Sequence, residues 1–212
     1  MTIIRDSMLL YAIAGSSIQN DKSLALQAEQ ALKGGATFLQ LRIKNCPHDK
    51  LVSEAIEIKK IASAYNVPFV INDDIYAAKE AGADGVHIGQ DDMEYTQARE
   101  ILGNDKIIGM TAHNLEEAFA AQNAGASYIG VGAVFPTNTK SDTIPMSYDT
   151  LKEITSNINI PVVAIGGINA DNINKLKDSG IDGVAVISAI FSQKDICLAA
   201  SNMKKLAEKI VL

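Results

Sequence analysis

The chain has 212 residues, 47% hydrophobic and 21% charged, with a net charge of −6. That is ordinary globular composition, with enough apolar material for one substantial core. An acidic chain without a long basic run lacks the positive field that attracts nucleic acid or an anionic membrane, so neither partner is expected, although a few local cations suffice to hold a phosphorylated small molecule.

The segment MLLYAIAG (8–15) lies behind Arg5 like a short leader core, but Asp6 precedes it and similar runs recur later, so it reads as a strand. SLALQAEQALKGG (23–35) puts Leu24, Ala28, Ala31 and Leu32 on one helical face and stops at glycine. DKLVSEAIEIKKIASAY (49–65) sets Leu51, Ala55, Ile58 and Ala62 at the same period. NLEEAFAAQNAG (114–125) is again helical and ends at glycine, and DICLAASNMKKLAEKIV (195–211) is the last helix. Around these lie eight short apolar runs: 9–14, 38–43, 68–72, 85–89, 106–112, 128–135, 161–167 and 183–190. Their length and Val/Ile content suit buried parallel strands.

An internal repeat underlies the pattern. KGGATFLQLR, EAGADGVHIG, NAGASYIGVG and DSGIDGVAVI each run from a helix end through Gly35, Gly82, Gly125 or Gly180 into every second strand. Eight strand-helix units without a break in composition argue for one closed (β/α)8 TIM barrel, a single domain over residues 1–212. An open doubly wound sheet is the alternative, although it usually has fewer strands. Cys46 and Cys197 are far apart in sequence and fit neither a disulfide framework nor a zinc site, so a reduced, cytoplasmic setting is expected.

In such a barrel the chemistry sits at the C-terminal ends of the strands. QLRIK puts Gln40, Arg42 and Lys44 on one face, and inward-facing cations are costly unless an anion is present. The next two runs end in Asn72-Asp73-Asp74 and Gln90-Asp91-Asp92. Asp74 and Asp91 read as helix N-caps, whereas Asp73 and Asp92 read as oxygen ligands for Mg²⁺, which takes one or two carboxylates plus substrate phosphates. Thr111 and His113 follow the fifth run, and PTNTK brings Thr137, Thr139 and Lys140 after the sixth. Gly166-Gly167 and Ile187-Ser188, after the last two, suit a backbone phosphate cradle. Two anion sites on one rim suggest two phosphorylated substrates. His87 is mid-strand and reads as a hydrogen-bonded structural residue; His48 reads as solvated, and His113 fits either role.

QLRIK, INDD, GVHIGQDD, GMTAH, GVGAVFPTNTK, AIGGI and AVISAI resemble, in order and spacing, the thiamine-phosphate synthase family over residues 9–191. The resemblance implies an Mg²⁺-assisted transferase. It joins 4-amino-5-hydroxymethyl-2-methylpyrimidine diphosphate to a thiazole phosphate and releases pyrophosphate after forming a pyrimidine-methylene cation. It implies Asp73 and Asp92 as metal ligands, and Gln40, Lys44, Asn72 and Lys140 as contacts to the pyrimidine diphosphate. Arg42 becomes a further site cation, with Arg42, Lys44 and Lys140 as the catalytic charges. Thr111 would face the pyrimidine; Thr137, Thr139, Gly167, Ile187 and Ser188 would hold the thiazole phosphate. Ser147 departs from the family pattern where glycine is expected, and Asp74 where a basic residue is common. The rivals are a thiazole tautomerase-like relative using His113 and a non-catalytic thiamine-phosphate sensor. Loop 136–147 has the length and polarity of a lid, and the pattern is compatible with a homo-oligomer.

Overall fold

A computed structural model describes residues 5–15, 21–90, 92–137 and 145–211. Strands β1 (Leu10–Gly15), β2 (Phe38–Arg42), β3 (Phe69–Asn72) and β4 (Gly85–Ile88) alternate with helices α1 (Leu24–Lys33), α2 (His48–Ala64), α3 (Ile75–Glu80) and α4 (Tyr95–Leu102). The second half continues with β5 (Ile107–Ala112), α5 (Leu115–Ala124), β6 (Tyr128–Gly132), α6 (Tyr148–Asn157), β7 (Val162–Ile165), β8 (Gly183–Val186), α7 (Ser188–Phe191) and α8 (Ile196–Val211). Each strand pairs in parallel with the next, and β8 returns to β1 through Leu10↔Val184, so the sheet is a closed barrel. That closing ladder excludes the open sheet.

Two details differ from the sequence reading. The run at 183–190 is strand only to Val186, and its second half begins α7. After β7 there is a single 3₁₀ turn, Ile173–Leu176, in place of a full helix. Ser147, the departure from the expected glycine, is the N-cap of α6: its hydroxyl accepts from Thr150 N at 3.0 Å. A serine in that role satisfies an orphan amide at the helix start, which glycine cannot do with a side chain.

The repeat has a physical function at the opposite end of the barrel from the site. Its four glycines take left-handed φ values of 100°, 64°, 96° and 79° at residues 35, 82, 125 and 180. Two residues later a polar side chain reaches the start of the preceding strand. Leu10 N donates to Thr37 Oγ1 (2.8 Å), Phe69 N to Asp84 Oδ2 (2.9 Å), Ile108 N to Ser127 Oγ (3.1 Å) and Val162 N to Asp182 Oδ2 (2.8 Å). These bonds occupy amides that would otherwise be unpaired where a strand begins.

Strand alternation divides the core in two. One set, including Leu39, Ile71, Val86, Ile108 and Val184, packs outward against the helices. A smaller set, Met8, Tyr11, Ile13, Phe38, Val70, Ile107, Tyr128, Val163 and Ala185, fills the barrel interior. There the Tyr11, Phe38 and Tyr128 rings meet at centroid distances of 4.6 to 5.8 Å. Tyr128 fits because its neighbour in register is Gly109. A Cβ on Gly109 would sit 2.1 Å from Tyr128 Cζ. Gly109→Ala is therefore expected to destabilise the protein by about 1–3 kcal/mol through overpacking. Chemical denaturation measures this, and an unchanged midpoint would mean that the ring has room to move.

Candidate functional site

At the C-terminal mouth of the barrel lies a cavity of about 360 Å³. The inward positions of β2 deliver Gln40 and Arg42 to it, with Lys44 just beyond the strand end. From β3 and β4 come Asn72, Asp73 and Asp92; from β5, Thr111; and after β6, Thr137. Gly167, Ile187 and Ser188 line the wall formed after β7 and β8. These eleven positions were reached from sequence and lie around one cavity. Thr139 and Lys140 lie outside the described residues, as do Asp91 and 138–144 of the suggested lid.

The acidic side of the cavity is built by an unusual backbone. Asp73 has φ 63°, in the left-handed region, and its amide donates to His87 O at 2.8 Å. Aspartate tolerates that region better than most residues, but the conformation still costs free energy. It separates two neighbouring carboxylates into different tasks. Asp74 turns to cap α3, accepting from Ala77 N at 2.8 Å, as expected of it. Asp73 turns into the cavity, where Lys44 Nζ and Asn72 Nδ2 donate to it. Asp92 spends one oxygen on its own loop, accepting from Gly89 N at 2.6 Å.

Asp73 and Asp92 line the same cavity, close enough for each carboxyl to act on the other. Burial pushes the pKa of Asp73 up, the hydrogen bond to the Asp92 carboxyl adds to it, and Lys44 pulls the other way. Two carboxyl groups this close, one of them partly buried, gain from any cation placed between them. The described residues hold no group of three or more His, Cys, Asp or Glu side chains that gathers to bind a metal. Two protein carboxylates fit Mg²⁺, which draws its remaining ligands from water and substrate oxygens. The donor set therefore fits that ion.

The opposite wall is formed of backbone. A Cβ on Gly167 would sit 2.4 Å from Pro136 O, so only glycine lets the segments after β6 and β7 lie this close. His113 lines the rim, with Nδ1 2.9 Å from Glu117 Oε2, and His48 is exposed with Nε2 3.1 Å from Glu80 Oε2.

The thiamine monophosphate synthase family model (TMP-TENI) matches residues 10–190. The chain belongs to this family. It is 48% identical over 202 residues to a thiamine-phosphate synthase of Ruminiclostridium cellulolyticum, covering 95% of both chains. It is 46% identical over 196 residues to a thiamine-phosphate synthase of Methanobrevibacter smithii, covering 92% of this chain and 93% of that one. A solved thiamine phosphate pyrophosphorylase of Pyrococcus furiosus superposes with a TM-score of 0.88 at 35% identity, over 98% of this chain and 99% of the other. The chain is an enzyme, a transferase of this family.

Sequence reasoning missed the cavity floor. Tyr11 and His87 line it, and Tyr128 lies buried beneath. The available signal was parity: Tyr11 shares a strand face with Ile13, and Tyr128 is in register with a glycine. His87 is hydrogen-bonded, as its mid-strand position suggested. Burial lowers its pKa from 6.5 to about 4, against a smaller opposing pull from Asp92. Between pH 4 and 6.5 the unfolded chain therefore binds a proton that the folded protein refuses. Stability should fall as pH drops through that window, by on the order of 3 kcal/mol from this group. The raised pKa of Asp73 acts in the opposite sense, favouring the folded state at low pH, so the contribution of His87 is isolated by comparison. Denaturation midpoints of wild type and His87→Gln, measured from pH 7 to 4, should diverge in slope by about one proton. Parallel curves would mean that His87 is charged when folded.

Proposed function

We propose that this chain is a thiamine-phosphate synthase. It joins 4-amino-5-hydroxymethyl-2-methylpyrimidine diphosphate to thiazole phosphate, giving thiamine monophosphate and pyrophosphate with the help of Mg²⁺. The observation that carries this reading is the convergence of Arg42 and Lys44 with the neighbouring Asp73 and Asp92 carboxyl groups in one cavity. A diphosphate leaving group needs both halves of that arrangement: cations for its own oxygens and carboxylates for a metal that it shares. The full-length likeness to proteins named as synthases supports it further.

The chemistry asks little covalent work of the protein. The C–O bond between the pyrimidine methylene and the diphosphate breaks, and both electrons leave on oxygen. Arg42 and Lys44 offset the growing charge from fixed positions, where such stabilisation is strongest, and Lys140 adds a third cation. Asp73 and Asp92 would hold Mg²⁺, which neutralises diphosphate oxygens when bound. Gln40, Asn72 and Thr111 orient the pyrimidine diphosphate. Thr137, Thr139, Gly167, Ile187 and Ser188 hold the thiazole phosphate so that the ring nitrogen closes the C–N bond with its own lone pair. No general base is required.

The second reading is a tautomerase-like relative working through His113, whose contact with Glu117 at the rim would orient the imidazole. The test is pyrophosphate release from purified protein. Release that requires the pyrimidine diphosphate, thiazole phosphate and Mg²⁺ together supports the synthase; no release, with thiazole phosphate still bound, moves the reading to the tautomerase. Asp92→Ala should lower turnover by about 100-fold or more through lost charge stabilisation, while the lost contact to Gly89 N costs about 1 kcal/mol of stability. Loss of activity that merely tracks loss of folded protein would assign Asp92 to its loop contact with Gly89 alone.

A further inference from the structure

The floor of the cavity is crossed by a single file of hydrogen bonds. Gln40 Nε2 donates to the Tyr11 hydroxyl. The Tyr11 and Tyr128 hydroxyls are 2.7 Å apart, the Tyr128 hydroxyl is 2.9 Å from His87 Nδ1, and His87 Nε2 is 3.0 Å from Thr111 Oγ1. The five residues come from β2, β1, β6, β4 and β5, so the file spans the barrel interior. Gln40, Tyr11, Tyr128 and His87 are buried, and Thr111 is half-buried.

The number of protons fixes the sense of the file. A hydroxyl has one proton to give, and a neutral imidazole has one N–H. With the amide of Gln40 donating, the Tyr11 proton goes to Tyr128, and the Tyr128 proton goes to Nδ1 of His87. The imidazole N–H then sits on Nε2 and points at Thr111. Set between the Tyr128 and Thr111 hydroxyls, a neutral imidazole gives one N–H and accepts at its other nitrogen, which is what the file requires. Towards a ligand Gln40 then keeps Oε1, which accepts, beside its second N–H, and Thr111 keeps its hydroxyl proton, which is donated. The file can run the other way only if every member reverses together, Gln40 amide included, so exchanging the sense at one end costs a change at all five residues.

We propose that His87 is a positioning residue: held by Tyr128 as the Nε2–H tautomer, it sets Thr111 as donor and Gln40 as acceptor, making the floor selective for an aminopyrimidine over its hydroxy counterpart. This rests on the pyrimidine substrate proposed above. A ring between β2 and β5 must offer an N–H towards Gln40 and a lone pair towards Thr111. An aminopyrimidine has both. In its lactam form the hydroxy analogue replaces the amine donor with a carbonyl acceptor and puts a proton on a ring nitrogen. Buried groups left unpaired by such an exchange reject the analogue strongly.

Two measurements test this. In protein labelled with ¹⁵N-histidine, NMR at neutral pH should show His87 as the Nε2–H tautomer with Nδ1 unprotonated; the Nδ1–H tautomer overturns the proposal. Calorimetry should show wild type binding the aminopyrimidine diphosphate about 100-fold or more tighter than its 4-hydroxy analogue. Tyr128→Phe should reduce that preference about tenfold by breaking the file, leaving affinity for thiazole phosphate unchanged. An unaltered preference overturns the proposal. Should Tyr128→Phe fail to fold, Tyr11→Phe cuts the same file nearer Gln40, with the same result expected. Binding and turnover separate the two ideas: a Tyr128-dependent preference without pyrophosphate release sinks only the synthase reading, and release without any preference sinks only this one.

Discussion

Closure of the barrel makes strand parity binding on every residue that matters here. With β8 hydrogen-bonded to β1, no strand has a free edge, and each inner face is enclosed. Alternate residues must therefore fill the interior or reach its mouth. Phe38, Gln40 and Arg42 share the inner face of β2, passing from ring to amide to guanidinium along one strand. The same progression holds on β3, where Val70 in the interior is followed by Asn72 at the cavity. A slip of one residue would turn Arg42 into the helix layer and an aliphatic side chain into the site.

Polar groups this deep are tolerated only because each finds a partner. Tyr11, Tyr128, Gln40 and His87 satisfy one another, and among the described residues the buried side-chain atom without a partner is Gln27 Oε1, away from the cavity on α1. The charged groups at the mouth are treated differently. Asp73 is held in a left-handed backbone, against a second carboxyl and beside an exposed lysine. That arrangement costs free energy in the resting protein and is the kind of strain expected where a charged ligand is to be received. On the proposed reading the hydrogen-bonded floor and the strained, charged rim divide the work: one orients a ring, the other attends to an anion.

Much of this was legible in the sequence because the signals were local. Val/Ile-rich runs, glycine stops and the alternation in QLRIK are decided by neighbours a few residues apart, and they located the strands and the rim. The repeat also announced itself, although its purpose, a side chain from Thr37, Asp84, Ser127 or Asp182 reaching the preceding strand, appeared only in three dimensions. The remainder depends on contacts between distant segments. Nothing near Tyr128 in the chain indicates that it bridges Tyr11 and His87, residues 117 and 41 positions away. The turn of Asp73 away from Asp74 is a backbone choice that an acidic pair alone does not specify. The shortened seventh unit escaped notice because one 3₁₀ turn there replaces a helix that the other units led one to expect.

On the proposed reading, the rim is built for a diphosphate that shares a divalent ion with two carboxylates. Calorimetric titration of the protein with pyrophosphate, in the presence and absence of Mg²⁺, tests it most directly. Tight binding that requires Mg²⁺, and that is lost in Asp73→Asn and in Asp92→Asn, is the expected result. Equal binding with and without the ion, or binding indifferent to both substitutions, would contradict it and leave the acidic pair without a part in anion recognition.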